Sequence, residues 1–332
     1  MTAAERLAVA IDPVARAVAD GIPGAVLGIV TTAGDRAVDG LGFAQLEPTS
    51  EPMQRGTWFD LASLTKVLFT TPAILRLAAE GRIALDDPLS VAIPDLRQYD
   101  PGAAERRLTF RQCLGHRTHL PAVEPLYTYG QDPATLRAFI LQRAWQAGPP
   151  VYSDINFMLL GIAIERLTGR PVGEQPLPPG LTFRSDAAVT AATERCTWRG
   201  RVLRGEVHDE NAFALGGAAG HAGLFGTIDG VLDAALGVLR GVDPALAGMR
   251  ARQSATRALG WEARHDGWSG GDTCSDETIG HTGFTGTGVW IDFGRGIAWA
   301  LLTNRVHPTR HRETGIVELR RRVGALVAGA AA

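Results

Sequence analysis

The chain contains one lysine, Lys66; the other 32 of its 33 basic residues are arginines. Arginine replaces lysine wherever a surface needs only positive charge, but its guanidinium group stays protonated at any practical pH. An ε-amine can lose its proton when burial or a positive neighbour disfavours the charged form. The composition would also be explained if this one lysine had been retained by chance. Retention for chemistry instead predicts that Lys66 is a catalytic base with a lowered pKa.

Ser63 stands three residues before Lys66, in a segment that is predicted to form a helix. Apolar residues recur at positions 67, 68, 74, 75 and 78, and Gly81 supplies a stop signal. Residues three apart share a helix face, so the hydroxyl and the amine come within hydrogen-bonding distance. The positive end of the helix dipole disfavours an ammonium there and favours an oxyanion. The pair predicts a lysine-activated serine nucleophile, with a kink or early helix end at Pro72.

Three motifs follow one another in the order Ser63-Leu64-Thr65-Lys66, Tyr152-Ser153-Asp154 and His281-Thr282-Gly283. Together with residues 59–62 and the glycine-rich residues 220–227, they resemble the serine β-lactamase and penicillin-binding-protein superfamily. The similarity is to its class C β-lactamase-like branch, which also holds esterases and D-amino-acid peptidases. It spans about residues 20 to 305.

The resemblance implies a division of catalytic roles. Ser63 would be the nucleophile, Lys66 its activating base, and Tyr152 the residue that passes the proton to the leaving group. The backbone amides of Ser63 and Phe284 would form the oxyanion hole.

The third motif, His281-Thr282-Gly283, is implied to be the substrate-binding strand of the site. His281 stands where the superfamily has a lysine or arginine that holds a substrate carboxylate. A neutral imidazole would bind an anion poorly, whereas a protonated one would still bind it. The glycines of this region, Gly283 among them, are expected to let the strand edge approach a substrate closely.

Asp154 stands where asparagine is common in the superfamily. One interpretation places it in the site, where an ionised carboxylate would raise the pKa of Lys66 and a protonated one would donate to a substrate amide. The other interpretation makes it the N-cap of a helix predicted over residues 155–167. Its position in the motif favours the site.

A second polar cluster, residues 206–211 with His221, raises the question of a metal site. Its spacing fits no zinc template, and HExxH is absent. We expect a loop that lines the cleft, in which His208 and Asp209 bond each other or the backbone. The clustered glycines lack the lysine that follows the last glycine of a phosphate-binding loop. The sequence therefore predicts neither a metal nor an organic cofactor.

The composition limits the classes of partner. The 332 residues are 45% apolar and 20% charged, with a net charge of -2 and no basic block, which argues against nucleic acid. The longest apolar stretches fall short of the roughly 18 residues that a membrane span needs. Residues 1–20 have the pattern of an amphipathic helix rather than a signal peptide, which predicts a cytoplasmic protein. Three separated cysteines predict buried free thiols, and the oligomeric state is left open.

The order of elements predicts an α+β fold of the β-lactamase/transpeptidase type. Hairpins are predicted over residues 24–43 around Gly34 and over residues 287–303, and helices over 133–146, 156–167 and 312–327. We expect an antiparallel sheet flanked by helices in a discontinuous lobe of residues 1–80 and 210–332. A mostly helical lobe of residues 81–209 completes the chain, with the active site between the lobes.

These observations predict a serine hydrolase that acts through an acyl-enzyme on a small ester or amide. A true β-lactamase or a D-Ala-D-Ala carboxypeptidase-like penicillin-binding protein is the alternative. It is less favoured because those enzymes act outside the cytoplasm and hold an anion near the position of His281. An acyltransferase that uses the same acyl-enzyme is a close relative. A silent ligand-binding or sensor domain of the same fold is the rival from another class, and the intact Ser63, Lys66 and Tyr152 argue against it.

Overall fold

A seven-stranded antiparallel sheet forms the centre of the fold in the computed structural model, which describes residues 1–329. The strands of the chain are β1 (Gly24–Thr31), β2 (Arg36–Gln45), β3 (Glu51–Pro52), β4 (Phe59–Asp60), β5 (Leu181–Thr182), β6 (Arg195–Cys196), β7 (Arg201–Val202), β8 (Phe225–Gly226), β9 (Glu262–Ala263), β10 (Ile279–Thr282), β11 (Gly288–Asp292) and β12 (Ile297–Thr303). The central sheet has the order β3-β2-β1-β12-β11-β10-β9. The pairing of β1 with β12 therefore joins the two ends of the chain in the middle of the sheet.

The α-helices of the described residues are α1 (Ala3–Ala19), α2 (Thr71–Ala79), α3 (Phe110–Leu114), α4 (Pro133–Gln142), α5 (Asp154–Thr168), α6 (Glu210–Ala214), α7 (Ile228–Leu239) and α8 (Ile316–Gly329). Three of them cover the faces of the central sheet. Helices α1 and α8 pack together on one face, and α7 packs on the other. The predicted antiparallel sheet flanked by helices is confirmed.

Strand β1 shows how the sequence pattern specifies burial on both sides. Its alternate residues Val26 and Val30 belong to the core beneath α7, whereas Ala25, Leu27 and Ile29 belong to the core beneath α1 and α8. Successive side chains of a strand point to opposite faces, so a continuously apolar run suits a strand that is covered twice.

Both predicted hairpins are present, β1 with β2 and β11 with β12. Two helices are shorter than predicted. Helix α4 ends at Gln142 because Arg143 adopts an extended conformation and pairs with Glu124 at 2.9 Å. Helix α8 begins at Ile316, directly after Gly315 with a φ of 63°.

The segment between β4 and β8 consists mainly of helices, turns and two-residue strands. Its buried side chains form one apolar cluster with those beneath α7. The predicted division into lobes of residues 1–80 with 210–332 and of residues 81–209 stays a prediction, and its last three residues lie outside the described part. Within residues 1–329, no helix is both long and apolar enough to cross a membrane.

Candidate active site

Ser63 lies at the start of a helix, on a backbone turn held by a buried carboxylate. Ala62, directly before it, has a φ of 47°, a conformation that costs a non-glycine residue free energy and is concentrated at functional sites. The fully buried Asp60 holds this turn, because its Oδ1 accepts from the Ala62 amide at 2.8 Å and its Oδ2 from the His208 amide at 2.6 Å. Helical structure then begins at Leu64.

The helix after Ser63 contains a π-helical turn over Lys66–Thr70, which passes directly into α2. In this turn the Thr71 amide donates to the Lys66 carbonyl, five residues back. Pro72 follows at the start of α2, where its missing amide hydrogen interrupts no regular α-helical pattern. The predicted disturbance at Pro72 is therefore a change of helical type. The helix runs on to Ala79, and Gly81 has a φ of 72°, as its predicted stop role requires.

The ammonium group of Lys66 is fully buried, donates two hydrogen bonds and forms an ion pair with Asp154. Its Nζ lies 2.9 Å from Ser63 Oγ, 3.1 Å from the His221 carbonyl oxygen and 2.8 Å from Asp154 Oδ1. The expected contact of serine and lysine one turn apart is present. A lysine ammonium has three donors and no acceptor, so in this state it has no lone pair for the Ser63 proton.

The electrostatic surroundings hold that proton on Lys66. Burial alone would lower the pKa of Lys66, but the Asp154 carboxylate and Tyr152 together raise it above its ordinary value. The prediction of a lysine with a lowered pKa is therefore wrong. A negative partner at contact distance outweighs both the desolvation of the amine and the helix dipole.

Asp154 belongs to the site rather than to a helix cap. It is the first residue of α5, and the N-cap position before it is occupied by Ser153, whose amide donates to His116 Nδ1 at 3.0 Å. The carboxylate is 18% exposed and faces Lys66. The N-cap interpretation of Asp154 is wrong, and the expectation that an ionised carboxylate raises the pKa of Lys66 is confirmed.

Tyr152 is half-buried at the mouth of the site, among charged and aromatic groups. Its ring centroid lies 5.1 Å from Lys66 Nζ, 4.4 Å from the ring of His116 and 5.9 Å from the ring of His281. The structure thus brings the second motif against the first and the third, as their predicted roles require.

His281 lies on β10 beside Tyr152. Its Nδ1 donates to the Thr282 carbonyl at 2.9 Å, so in the neutral ring Nε2 bears the lone pair. Nε2 is buried and has no partner in residues 1–329. Burial, with the charges of Lys66 and Arg257, lowers the pKa of His281 well below its usual value. These surroundings favour the neutral imidazole.

Gly283 lets the end of β10 pack against the nucleophile turn. A Cβ atom there would lie 2.6 Å from the Leu61 carbonyl oxygen and 2.1 Å from Thr287 Oγ1. The close approach predicted for this glycine is thus to the protein's own backbone. Thr287 Oγ1 also donates to the Leu61 carbonyl at 3.1 Å. Half-buried Thr282 and exposed Phe284 line the cavity beside this contact, and neither the Ser63 nor the Phe284 amide donates a hydrogen bond within the described residues.

The glycine-rich segment positions the carbonyl that binds Lys66. Gly220 packs so closely on α5 that a Cβ atom would lie 2.1 Å from the Phe157 carbonyl oxygen. This packing places His221 under Lys66, and His221 Nε2 lies 3.0 Å from Asp209 Oδ1.

The predicted histidine loop lines the cleft, and of its two expected bonding patterns the structure shows the one to the backbone, through Asp209. His208 and Asp209 do not bond each other: His208 Nε2 lies 3.2 Å from Glu194 Oε2, while Asp209 pairs with His221 and caps α6 through the Ala212 amide. Among residues 1–329, no group of three or more His, Cys, Asp or Glu side chains is arranged to hold a metal ion.

These groups surround one open cavity of about 790 Å³. Ser63, Tyr152 and Asp154 lie on one side, the strand residues 281–284 on another, and residues 208–211 on a third. Four arginines also line this cavity: Arg257, Arg305, Arg310 and Arg320.

The comparison with known families agrees with the three motifs. The family profile described as "Beta-lactamase" matches residues 11–321. The chain belongs to the beta-lactamase family. A curated relative, the N-acetylmuramyl-L-alanine amidase of Bacillus subtilis (strain 168), is 32% identical over an alignment that covers 88% of this chain and 79% of the relative.

Solved structures of the same fold extend over nearly the whole of this beta-lactamase family chain. A class C beta-lactamase superposes with a TM-score of 0.76 at 16% identity, covering 97% of this chain and 98% of that one. EstCE1, a hydrolase with promiscuous acyltransferase activity, superposes with a TM-score of 0.74 at 21% identity, covering 98% and 99%. The α+β fold of the β-lactamase/transpeptidase type is confirmed.

Sequence reasoning missed three residues of this beta-lactamase family site. Asp60 was noted only as one of the residues before the first motif, and no role was predicted for it. A carboxylate three residues before a nucleophile on a turn is a signal that it accepts hydrogen bonds from nearby backbone amides. His116, which contacts Tyr152 and accepts from the Ser153 amide, lies outside the motifs. Arg257 lies 5.1 Å from the Tyr152 ring, and no local pattern marked it because the two residues are brought together by the fold.

Proposed function

We propose that this chain is a serine hydrolase of the class C β-lactamase-like type, in which Ser63 forms an acyl-enzyme with a small ester or amide. The single observation behind this proposal is the 2.9 Å contact of Lys66 Nζ with Ser63 Oγ at the wall of a 790 Å³ cavity. A serine hydroxyl needs such a neighbour, because it is a weak nucleophile until its proton is taken.

The proton leaves Ser63 by a relay through the lysine. Ser63 Oγ attacks the carbonyl carbon of the substrate and gives its proton to Lys66 Nζ as Lys66 gives one of its own to Asp154 Oδ1, 2.8 Å away. The Lys66 charge is unchanged and the carboxylate becomes neutral, so the proton count balances. Asp154 thus supplies the basicity that a protonated amine lacks.

The tetrahedral intermediate then collapses with the help of Tyr152. The Tyr152 hydroxyl protonates the leaving alcohol or amine, and the proton on Asp154 returns through Lys66 to the tyrosine oxygen. Tyr152 is near enough to Lys66 to help raise the pKa of that lysine. Water next attacks the acyl-enzyme by the same route in reverse, which releases the acid and restores Ser63.

The backbone amides of Ser63 and Phe284 stabilise the oxyanion of the intermediate. Both are free of other hydrogen bonds within residues 1–329. The contacts of Asp60 with Ala62 and of Thr287 with Leu61 hold the two backbone segments beside each other. Removing one oxyanion donor typically lowers the rate by about 10² to 10³.

A fluorophosphonate probe tests the nucleophile directly. Intact-mass spectrometry after incubation is expected to show a single adduct on the wild type and none on Ser63→Ala. Ser254→Ala is the matched control, since Ser254 is exposed and far along the chain from the site motifs. A retained adduct on Ser63→Ala would refute the assignment. A folded wild type without an adduct would favour the silent binding domain.

A further inference from the structure

Arg320 is a buried arginine of α8 that donates to the turn of residues 283–287. Its Nη2 lies 2.7 Å from the Gly283 carbonyl oxygen and 2.7 Å from the Thr287 carbonyl oxygen. The residue is 7% exposed, and within residues 1–329 it forms no ion pair with a carboxylate. Burial lowers the pKa of Arg320 to about 9, so the guanidinium is still charged at pH 7. A buried charge without an acidic partner costs free energy, so its retention calls for a compensating role.

The carbonyl of Gly283 belongs to the same peptide group as the amide of Phe284. A peptide group is planar and trans, so a partner that fixes its oxygen also fixes the direction of its amide hydrogen. The Gly283 oxygen accepts from Arg320 and, at 3.1 Å, from the Gly286 amide. The Phe284 amide, an oxyanion donor in the proposed function, donates to no other group in the described residues. Arg320 therefore sets the orientation of this free amide from the far side of its peptide bond.

A charged donor on a carbonyl also strengthens the amide of the same peptide. Hydrogen bonds in a chain polarise one another, and a bond from a charged donor is roughly twice as strong as a neutral one. Electron density that is drawn towards the Gly283 oxygen leaves the Phe284 N–H more positive. Arg320 and Gly283 are both buried, where electrostatic interactions are screened less than in water.

Neutral hydrogen bonds hold the turn of residues 283–287 independently of Arg320. The Gly283 amide donates to the Thr287 carbonyl at 2.8 Å and closes the turn. Thr285 Oγ1 donates to the Asp60 carbonyl at 2.7 Å and ties the turn to the segment before the nucleophile. What Arg320 adds to these contacts is a positive charge on the carbonyl of the oxyanion-binding peptide.

We propose that Arg320 is a positioning residue of the oxyanion hole, which aligns and polarises the Phe284 amide through the Gly283 carbonyl. The inference rests on the proposed function, in which the amides of Ser63 and Phe284 stabilise the oxyanion. Arg320 acts on the intermediate through this peptide group. A weaker amide donor slows the reaction only as far as the atom in the oxyanion hole accepts a hydrogen bond, whereas a general loss of structure slows it for every substrate.

Replacing the carbonyl oxygen of an ester by sulfur tests this role. The probes are 4-nitrophenyl acetate and its thiono analogue, O-(4-nitrophenyl) ethanethioate, whose sulfur is a weak hydrogen-bond acceptor. Wild type is expected to hydrolyse the oxygen ester faster. Arg320→Met should lower kcat/KM for the oxygen ester by about 10-fold, which is part of the loss of about 10² to 10³ for a whole oxyanion donor, and for the thiono ester by less than about threefold. Arg320→Lys, which restores a charged donor without the planar fork, should fall between Arg320→Met and wild type.

Arg321→Met is the control, because Arg321 lies on the same helix and donates to the carbonyls of Gly267 and Trp268, which lie outside the cavity. It should leave the ratio of the two kcat/KM values unchanged. An equal loss on both esters in Arg320→Met, or no loss on either, would overturn the role of Arg320 while the fluorophosphonate adduct on Ser63 still supports the hydrolase. If Arg320→Met does not fold, Arg320→Lys decides: a ratio below that of wild type supports the proposal, and an unchanged ratio overturns it. A folded wild type that forms no adduct and cleaves neither ester would overturn the proposed function and this inference together.

Discussion

Replacing Asp154 by asparagine isolates the charge that keeps Lys66 protonated. The Lys66 side chain is fully buried and its Nζ lies 2.8 Å from Asp154 Oδ1. Removing one partner of a buried ion pair costs about 3 to 5 kcal/mol. An asparagine oxygen still accepts one hydrogen bond, so we expect Asp154→Asn to lower the free energy of unfolding by about 3 kcal/mol at pH 7.

The dependence on pH gives the sign of this effect. In wild type the folded-state pKa of Lys66 is raised, so its contribution to stability is fully present below the unfolded value of about 10.4 and is lost only above it. In Asp154→Asn the carboxylate no longer offsets the burial of the amine, so we expect the folded value to fall below the unfolded one. The variant should therefore gain stability relative to wild type as pH rises from 7 towards 10.

The measurements are urea unfolding and fluorophosphonate acylation of Ser63 at pH 7, 8 and 9. Acylation of Asp154→Asn should be slower by about 100-fold at pH 7, the low end for a lost general base. It should recover in part towards pH 9, as neutral Lys66 accepts the serine proton directly. Asp86→Asn is the control, since Asp86 pairs with Arg111 at 2.7 Å while 71% exposed and should cost less than about 1 kcal/mol. Equal costs for the two variants, with no difference in pH dependence, would refute the reasoning.

Three further predictions concern single side chains. Lys66→Arg should be nearly as inactive towards esters as Ser63→Ala, because a guanidinium does not release a proton to Asp154 and so does not pass on the serine proton. Substantial ester turnover by Lys66→Arg would contradict the relay. Asp60→Asn should lower the free energy of unfolding by about 1 to 3 kcal/mol, because one of the two buried backbone amides loses its acceptor. It should also slow the acylation of Ser63. Urea unfolding and the kinetics of the fluorophosphonate probe measure these two effects, and wild-type values in both would show that Asp60 does not stabilise the turn before Ser63. In His281→Gln, the dependence of kcat/KM on pH between pH 6 and 8 should have the same inflection points as in wild type, because burial lowers the pKa of His281 well below its usual value. If an inflection near pH 6.5 is lost in that variant, His281 titrates in this range.

Much of this site was predictable from local sequence because its parts are local. Ser63 and Lys66 are three residues apart on one helix, so helical geometry alone brings them together. The alternation of β1 and the two hairpins follow from apolar pattern and turn residues, which act over a few positions. The motif order identified the superfamily, and with it Tyr152 and the strand that begins at His281.

Charge state and partner choice were decided by the tertiary structure. A lone buried lysine is expected to be neutral, but Asp154, 88 positions away, lies within 2.8 Å and reverses the sign of the pKa shift. The tautomer of His281 depends on the backbone geometry at Thr282. Electrostatic free energy depends on distances and burial in three dimensions, which a pattern of residue types along the chain does not contain.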